Sequence, residues 1–267
     1  MQTSIRLKQR KFKRILLLLI LALCVNQVKA KHRVLLVDSE LPMNQREAII
    51  FLTGFGSVYH LFSGQKRALK NDTYDVYAPD YISRKSINQS VENLREFITE
   101  YPIEKYKKVH VIAFIYGSWT LNTFLQTDSI SNLSSVVYDR SPIQEQVPFL
   151  LHEDKPFFGW ILFGNSLADL AQTPFPDVNL KEVNTGLMIE SNVTSVAHRY
   201  LNKMELNDAM WNQEKFSVYS DDFIYVEMNH DDMYTDMDGI IDEVFYLFQY
   251  GRFPKNASKE IPSDTYN

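Results

Sequence analysis

Cysteine is nearly missing from this chain: the one present is Cys24. Setting aside the first 30 residues, as argued below, removes it as well. That excludes a disulfide scaffold, a Cys-ligated zinc site and a cysteine nucleophile together. Glycine shows no period and there is no heptad array, so a fibre is excluded, while 45% hydrophobic residues is too many for a disordered chain. No Pro/Gly/Ser-rich stretch marks a linker. Basic residues are scarce in the body. Residues 1–30 carry seven of the 28 Lys and Arg and no acid, which leaves 21 basic against 33 acidic residues, a net charge of −12. A body this acidic repels nucleic acid and anionic lipid unless the fold gathers a local basic patch.

What the N-terminus does contain reads as an export signal. Six basic residues lie between Arg6 and Arg14, Ile15–Val25 is an unbroken apolar run of 11, and Val28-Lys29-Ala30 places small residues at −3 and −1 of a cleavage point. A membrane span needs about 20 apolar residues. The expectation is a signal over 1–30 and a secreted or extracytoplasmic body over 31–267, with no integral span after cleavage. The alternative is a membrane anchor from an uncleaved N-terminus. A lipoprotein signal at Leu21-Ala22-Leu23-Cys24 fits poorly, because Leu23 is bulky where a small residue is expected. Five Asn-x-Ser/Thr sites, at Asn71, Asn88, Asn132, Asn192 and Asn256, suit an exported glycoprotein.

The body alternates short apolar runs with amphipathic stretches. Strands are expected at Arg33–Val37, Ala48–Thr53, Tyr74–Ala78, Val109–Phe114, Ser134–Asp139, Gly186–Glu190 and Asp222–Glu227. They are rich in Val, Ile, Tyr and Phe and lack polar alternation, as strands buried on both faces do. Helices are expected at Ser57–Lys70, Ile87–Tyr101, Ser118–Gln126, Thr194–Met204 and Gly239–Tyr250. Such alternation gives an α/β, doubly wound, mostly parallel sheet, with any site at the carboxyl ends of its strands. Residues 141–185 interrupt the rhythm with Phe149, Phe157, Phe158, Trp160, Phe163 and Phe175. They form either a lid over a pocket or an irregular packed crossover.

Five segments in order carry a resemblance: Gly54-Phe55-Gly56-Ser57 after one strand, Pro79-Asp80 after the next, Ile115-Tyr116-Gly117-Ser118 between strand and helix, Arg140-Ser141-Pro142, and Asn229-His230-Asp231-Asp232 after a late strand. Their order and spacing resemble the α/β-hydrolase superfamily over nearly the whole mature chain. The resemblance implies oxyanion-hole N–H groups at Gly54 and Phe55, a nucleophile elbow over Ala113-Phe114-Ile115-Tyr116-Gly117, and the histidine at His230. The flanking small positions survive as Ala113 and Gly117, but the nucleophile position is Ile115, which has no lone pair. The usual acid position falls on Asn192 or Val193. A histidine without nucleophile and acid cannot run acyl transfer. The elbow residue is normally strained, a poor place for β-branched Ile.

Two readings follow. In the first, the protein is a non-catalytic binding module for an apolar ligand or a protein. In the second, it is an ester or amide hydrolase using Ser118, His230 and Asp139 or Glu190. Ser118 otherwise reads as a helix N-cap, Asp139 as a turn carboxylate beside Arg140, and His230 as a salt-bridged loop residue. No cofactor is implied. No metal site is either: Asp236-x-Asp238-Gly239 resembles part of a calcium loop, but Tyr234 and Phe245 stand at its first and twelfth positions. A looser site from Asp231, Asp232, Asp236 and Asp238 competes with a solvated acidic run.

Overall fold

The computed structural model describes residues 32–55, 66–204, 220–235 and 237–261. The export-signal segment, most of the helix expected at Ser57–Lys70, and Asp236 lie outside them. Seven strands appear where seven were expected: β1 (Arg33–Leu35), β2 (Glu47–Leu52), β3 (Tyr74–Ala78), β4 (Lys108–Ala113), β5 (Leu133–Arg140), β6 (Asn184–Glu190) and β7 (Asp222–Val226). They form one sheet in the order β1-β3-β2-β4-β5-β6-β7. β1 runs antiparallel to β3, and the other neighbours are parallel.

The apolar runs are continuous because both faces are covered. Side chains alternate across a strand, so Ile50, Leu52, Val111 and Val136 face one core, while Ile49, Phe51, Ile112 and Val137 face the other. Helix α1 (Ile87–Glu100) closes the first face with Val91, Leu94 and Phe97. Each such side chain contributes about 1.5–3 kcal/mol on burial. Ser86 caps α1, its Oγ accepting from the Gln89 N–H at 3.0 Å. Helix α2 (Ile115–Leu125) lies on the same face and is buried nearly all round, its polar Ser118, Thr120, Asn122 and Thr123 each donating to a backbone carbonyl. The second face is closed by α8 (Ile241–Tyr250), through Ile241, Val244, Leu247 and Phe248.

Residues 141–185 contain a 3-10 turn at Gln144–Gln146 and three short helices, α3 (Val147–Asp154), α4 (Pro156–Phe163) and α5 (Asn165–Gln172), followed by an irregular stretch that leads into β6. Pro148 and Pro156 sit in the first turns of α3 and α4, where a missing N–H costs nothing. The helix expected at Thr194–Met204 is broken. Only α6 (Ser195–His198) is α-helical, and a 3-10 turn follows at Leu201–Lys203. The last helical segments are α7 (His230–Thr235) and α8.

Helix α2 begins three residues earlier than expected. Phe114 is its cap, with φ −76° and ψ 164°, and Ser118 is already inside, its N–H bonded to the Phe114 carbonyl at 2.7 Å. Asn132 is the one non-glycine residue with positive φ among the described residues, so Ile115 sits in ordinary helical backbone. A β-branched residue is tolerated there because the backbone is helical rather than a strained turn.

Gly117 is needed for a close approach. A Cβ there would stand 2.5 Å from the Leu52 carbonyl oxygen and 2.9 Å from the Leu52 Cβ. Gly117→Ala is therefore expected to cost about 1–3 kcal/mol, read as a lower urea midpoint. An unchanged midpoint would contradict the contact between α2 and β2.

Candidate functional site

The carboxyl ends of five strands converge. Thr53-Gly54-Phe55 follows β2, Ile115 follows β4, Arg140-Ser141 lies at the end of β5, Glu190 ends β6, and His230 opens α7 after β7. This is the edge at which open α/β sheets bind ligands.

His230 is placed by a reciprocal cap. The Asn229 Oδ1 accepts from the N–H groups of Asp231 (2.9 Å) and Asp232 (3.1 Å), and Asp232 Oδ2 accepts from the Asn229 N–H at 3.4 Å. That is a capping box with Asn and Asp in its two roles. Asp231 and Asp232 also favour the positive end of the short helix. The acidic run here is thus helix punctuation.

His230 Nδ1 lies 2.6 Å from Glu190 Oε1 and 4.0 Å from Asp139 Oδ2. Glu190, at the end of β6, is the hydrogen-bonded partner, and Asp139 stands behind it. Both carboxyls are fully buried. Burial first, then the neighbouring Glu190 charge, pushes the Asp139 carboxyl well above the usual carboxylate range. Burial pushes Glu190 up to about 8, against the hydrogen bonds it takes from Asp139 and Ser141. Burial lowers His230, opposed by the charges of Asp139, Asp231 and Glu145. As two ionised carboxylates, Asp139 and Glu190 would have no donor between them. The pair therefore holds a proton at neutral pH and titrates as a unit. The imidazole beside it is neutral. Asp139, Glu190 and His230 offer ligand atoms within 4.8 Å of one another, the one group of this kind among the described residues. The shared proton already offsets the buried charge.

A cavity of about 480 Å³ opens above this cluster. Its floor is Phe55, Ile115 and Tyr116, and its roof is Pro148, Leu151, Phe163, Leu167 and Leu170 from α3, α4 and α5. Phe55 is wedged between Tyr116 (ring centroids 4.2 Å apart) and Phe163 (5.0 Å). One end is polar, with Gln144, Thr194, His230 and Asp231. Thr194 caps α6 and donates to Gln144 Oε1 at 2.9 Å. Gln144 and Thr194 escaped the sequence reading, though Thr194 before Ser195-Val196-Ala197 is a legible cap.

The residues expected at the site separate. Ile115, Tyr116, Phe55 and His230 share the cavity. Gly117 is turned against Leu52, and Gly54 is buried beside Phe55. Ser118 is buried within α2, its Oγ donating toward the carbonyls of Ala113 (2.9 Å) and Phe114 (3.2 Å), and it is not among the cavity-lining residues. It does not cap the helix.

The buried carboxyl pair makes stability pH-dependent. The folded protein keeps protons that the unfolded chain has released, so the pair's contribution is fully present below about 4.5 and is lost as pH rises toward about 8. The lowered His230 acts oppositely below its ordinary value of 6.5, in the parent and in Glu190→Gln alike. The urea midpoint of the parent is expected to fall more steeply than that of Glu190→Gln across pH 4.5 to 8. Parallel curves would contradict the proton-sharing pair.

No protein-family model matches the chain. No curated protein sequence matches it either. Solved structures do. Juvenile hormone epoxide hydrolase from the silkworm Bombyx mori is 9% identical with a TM-score of 0.53, over 82% of this chain and 73% of that one. The Vlm2 thioesterase domain is 13% identical with a TM-score of 0.52, over 80% and 96%. Est1E from Butyrivibrio proteoclasticus is 9% identical with a TM-score of 0.52, over 82% and 93%. Identity this low speaks for the fold alone, and these are structures of one fold. The chain is a divergent protein of the α/β-hydrolase fold.

Proposed function

We propose that this chain is a non-hydrolytic α/β-hydrolase-fold protein that holds a small apolar ligand reversibly in the cavity beneath α3, α4 and α5. The observation that carries this reading is Ile115. Ile115, which opens α2 after β4 and lines the same cavity as His230, ends in hydrocarbon. Without a nucleophile the imidazole has nothing to activate in an acyl-transfer cycle. The cavity suits a small molecule in size and in its mostly apolar wall with a few polar groups at one end.

The retained His230–Glu190 pair favours a second reading, an ester or amide hydrolase working through Ser118. Against it, the Ser118 hydroxyl is committed to carbonyls of its own helix turn. Such a bond pattern is the usual fate of a serine inside a helix.

Export belongs to the same proposal. Residues 1–30 direct the body across a membrane, and the protein recovered outside the producing cell is expected to begin at Lys31. Recovery of a membrane-bound form retaining Ile15–Val25 would favour the anchor instead. Exposed Asn88, Asn132, Asn192 and Asn256 are then open to glycan attachment.

Binding is tested with a solvatochromic apolar dye such as Nile red. The full chain is expected to bind it saturably. Val196→Trp, at an exposed wall of the cavity mouth, is expected to weaken binding by about tenfold with stability unchanged. Turnover of p-nitrophenyl butyrate that disappears in Ser118→Ala would overturn the reading.

A further inference from the structure

The eight residues of α4, Pro-Phe-Phe-Gly-Trp-Ile-Leu-Phe, include no polar side chain. A helix apolar all round is normally buried all round. This one is not. Gly159 faces inward against Leu151 and Leu167, and Phe163 reaches the cavity. The outer face leaves Phe157 65%, Phe158 59% and Trp160 57% exposed, with Ile161 beside them. Helix α3, packed against α4, adds exposed Phe149. Scattered exposed apolar residues need no explanation, but a cluster of this size does.

Charge is arranged around this face. Lys155 is the cap at the start of α4. At its other end the Arg84 guanidinium donates to the carbonyls of Trp160 (3.1 Å) and Ile161, and exposed Lys85 follows. Of the acids on α3, Asp154 is held by Lys203, which leaves Glu153 as the one outside an ion pair among the described residues. The body's net charge is strongly negative, yet this face carries cations at both ends of an aromatic strip. Pairing two copies through α4 would set cation against cation in either direction: Lys155 against Arg84 and Lys85 when antiparallel, each against itself when parallel. A surface of phosphate groups over an apolar layer meets both features. Aromatic rings enter the boundary between headgroups and acyl chains, and the flanking Lys and Arg meet the phosphates.

We propose that the outer face of α4 docks the protein on an anionic phospholipid surface. α4 also supplies Phe163 to the cavity roof, so docking brings that roof to the membrane surface. Docking stands whether or not the cavity proves to be a binding site.

The test uses the full chain and vesicles of phosphatidylcholine mixed equally with phosphatidylglycerol. The readout is the fluorescence of Trp160, because Ile15–Val25 can itself enter a bilayer and would mislead a sedimentation assay. Vesicles are expected to shift the emission to the blue, and lipids brominated on the acyl chain are expected to quench it. Both changes should be missing in Trp160→Phe. Phe157→Ser with Phe158→Ser, at exposed sites, is expected to weaken the lipid-dependent change by more than about tenfold without lowering the urea midpoint. Emission that vesicles leave unchanged would overturn the proposal. So would equal partitioning of the double variant, or a concentration-dependent dimer that buries Trp160 in the absence of lipid.

Discussion

The hydrogen bond between His230 Nδ1 and Glu190 Oε1 organises the carboxyl edge of the sheet. It joins the ends of β6 and β7, and it draws a fully buried carboxyl against a second one, Asp139 at the end of β5. Two carboxyls in one dry site cannot both ionise, so the cluster keeps a proton and the imidazole remains neutral. What is unusual is its neighbour. The residue that lines the cavity beside His230 from the start of α2 is Ile115. A buried imidazole–carboxyl cluster therefore stands beside a hydrocarbon. Its evident physical work is to close the sheet edge and give the cavity one polar end.

The backbone at Ile115 is that of an ordinary helix start. A hydroxyl held out on a strained turn must be supported by its surroundings. There is no such turn at this position, and α2 begins at Ile115 from an extended Phe114. The constraint that survives is steric. Gly117 still lets α2 approach β2 more closely than any side chain allows. Packing of α2 against β2 is what requires glycine at position 117.

Much of the fold was legible in the sequence, because strands buried on both faces write themselves as apolar runs. Tyr74–Ala78 agrees to the residue, and the other strands differ only at their ends. Helix starts were harder. Ser118 looked like a cap, but the backbone had already closed its first turn from Phe114. The break in Thr194–Met204 left no mark in the periodicity. At the site, sequence order pointed to His230 and to Asp139 or Glu190, and only the folded placement of His230, 2.6 Å from Glu190 and 4.0 Å from Asp139, decides which carboxyl reaches the imidazole. The acidic run after Asn229 resembled ion ligands. Its first two acids turn out to serve the start of α7, a role readable in the Asn229-x-x-Asp232 spacing. The insertion at 141–185 was visible as aromatic composition, but its division into a buried roof and an exposed strip requires three dimensions.

The proposed function requires that no side chain at this edge attacks an electrophile. The most direct check is the intact mass of the protein after long incubation with an excess of a fluorophosphonate. The predicted result is an unmodified chain. A single phosphonyl adduct mapped to Ser118, and missing in His230→Ala, would contradict it.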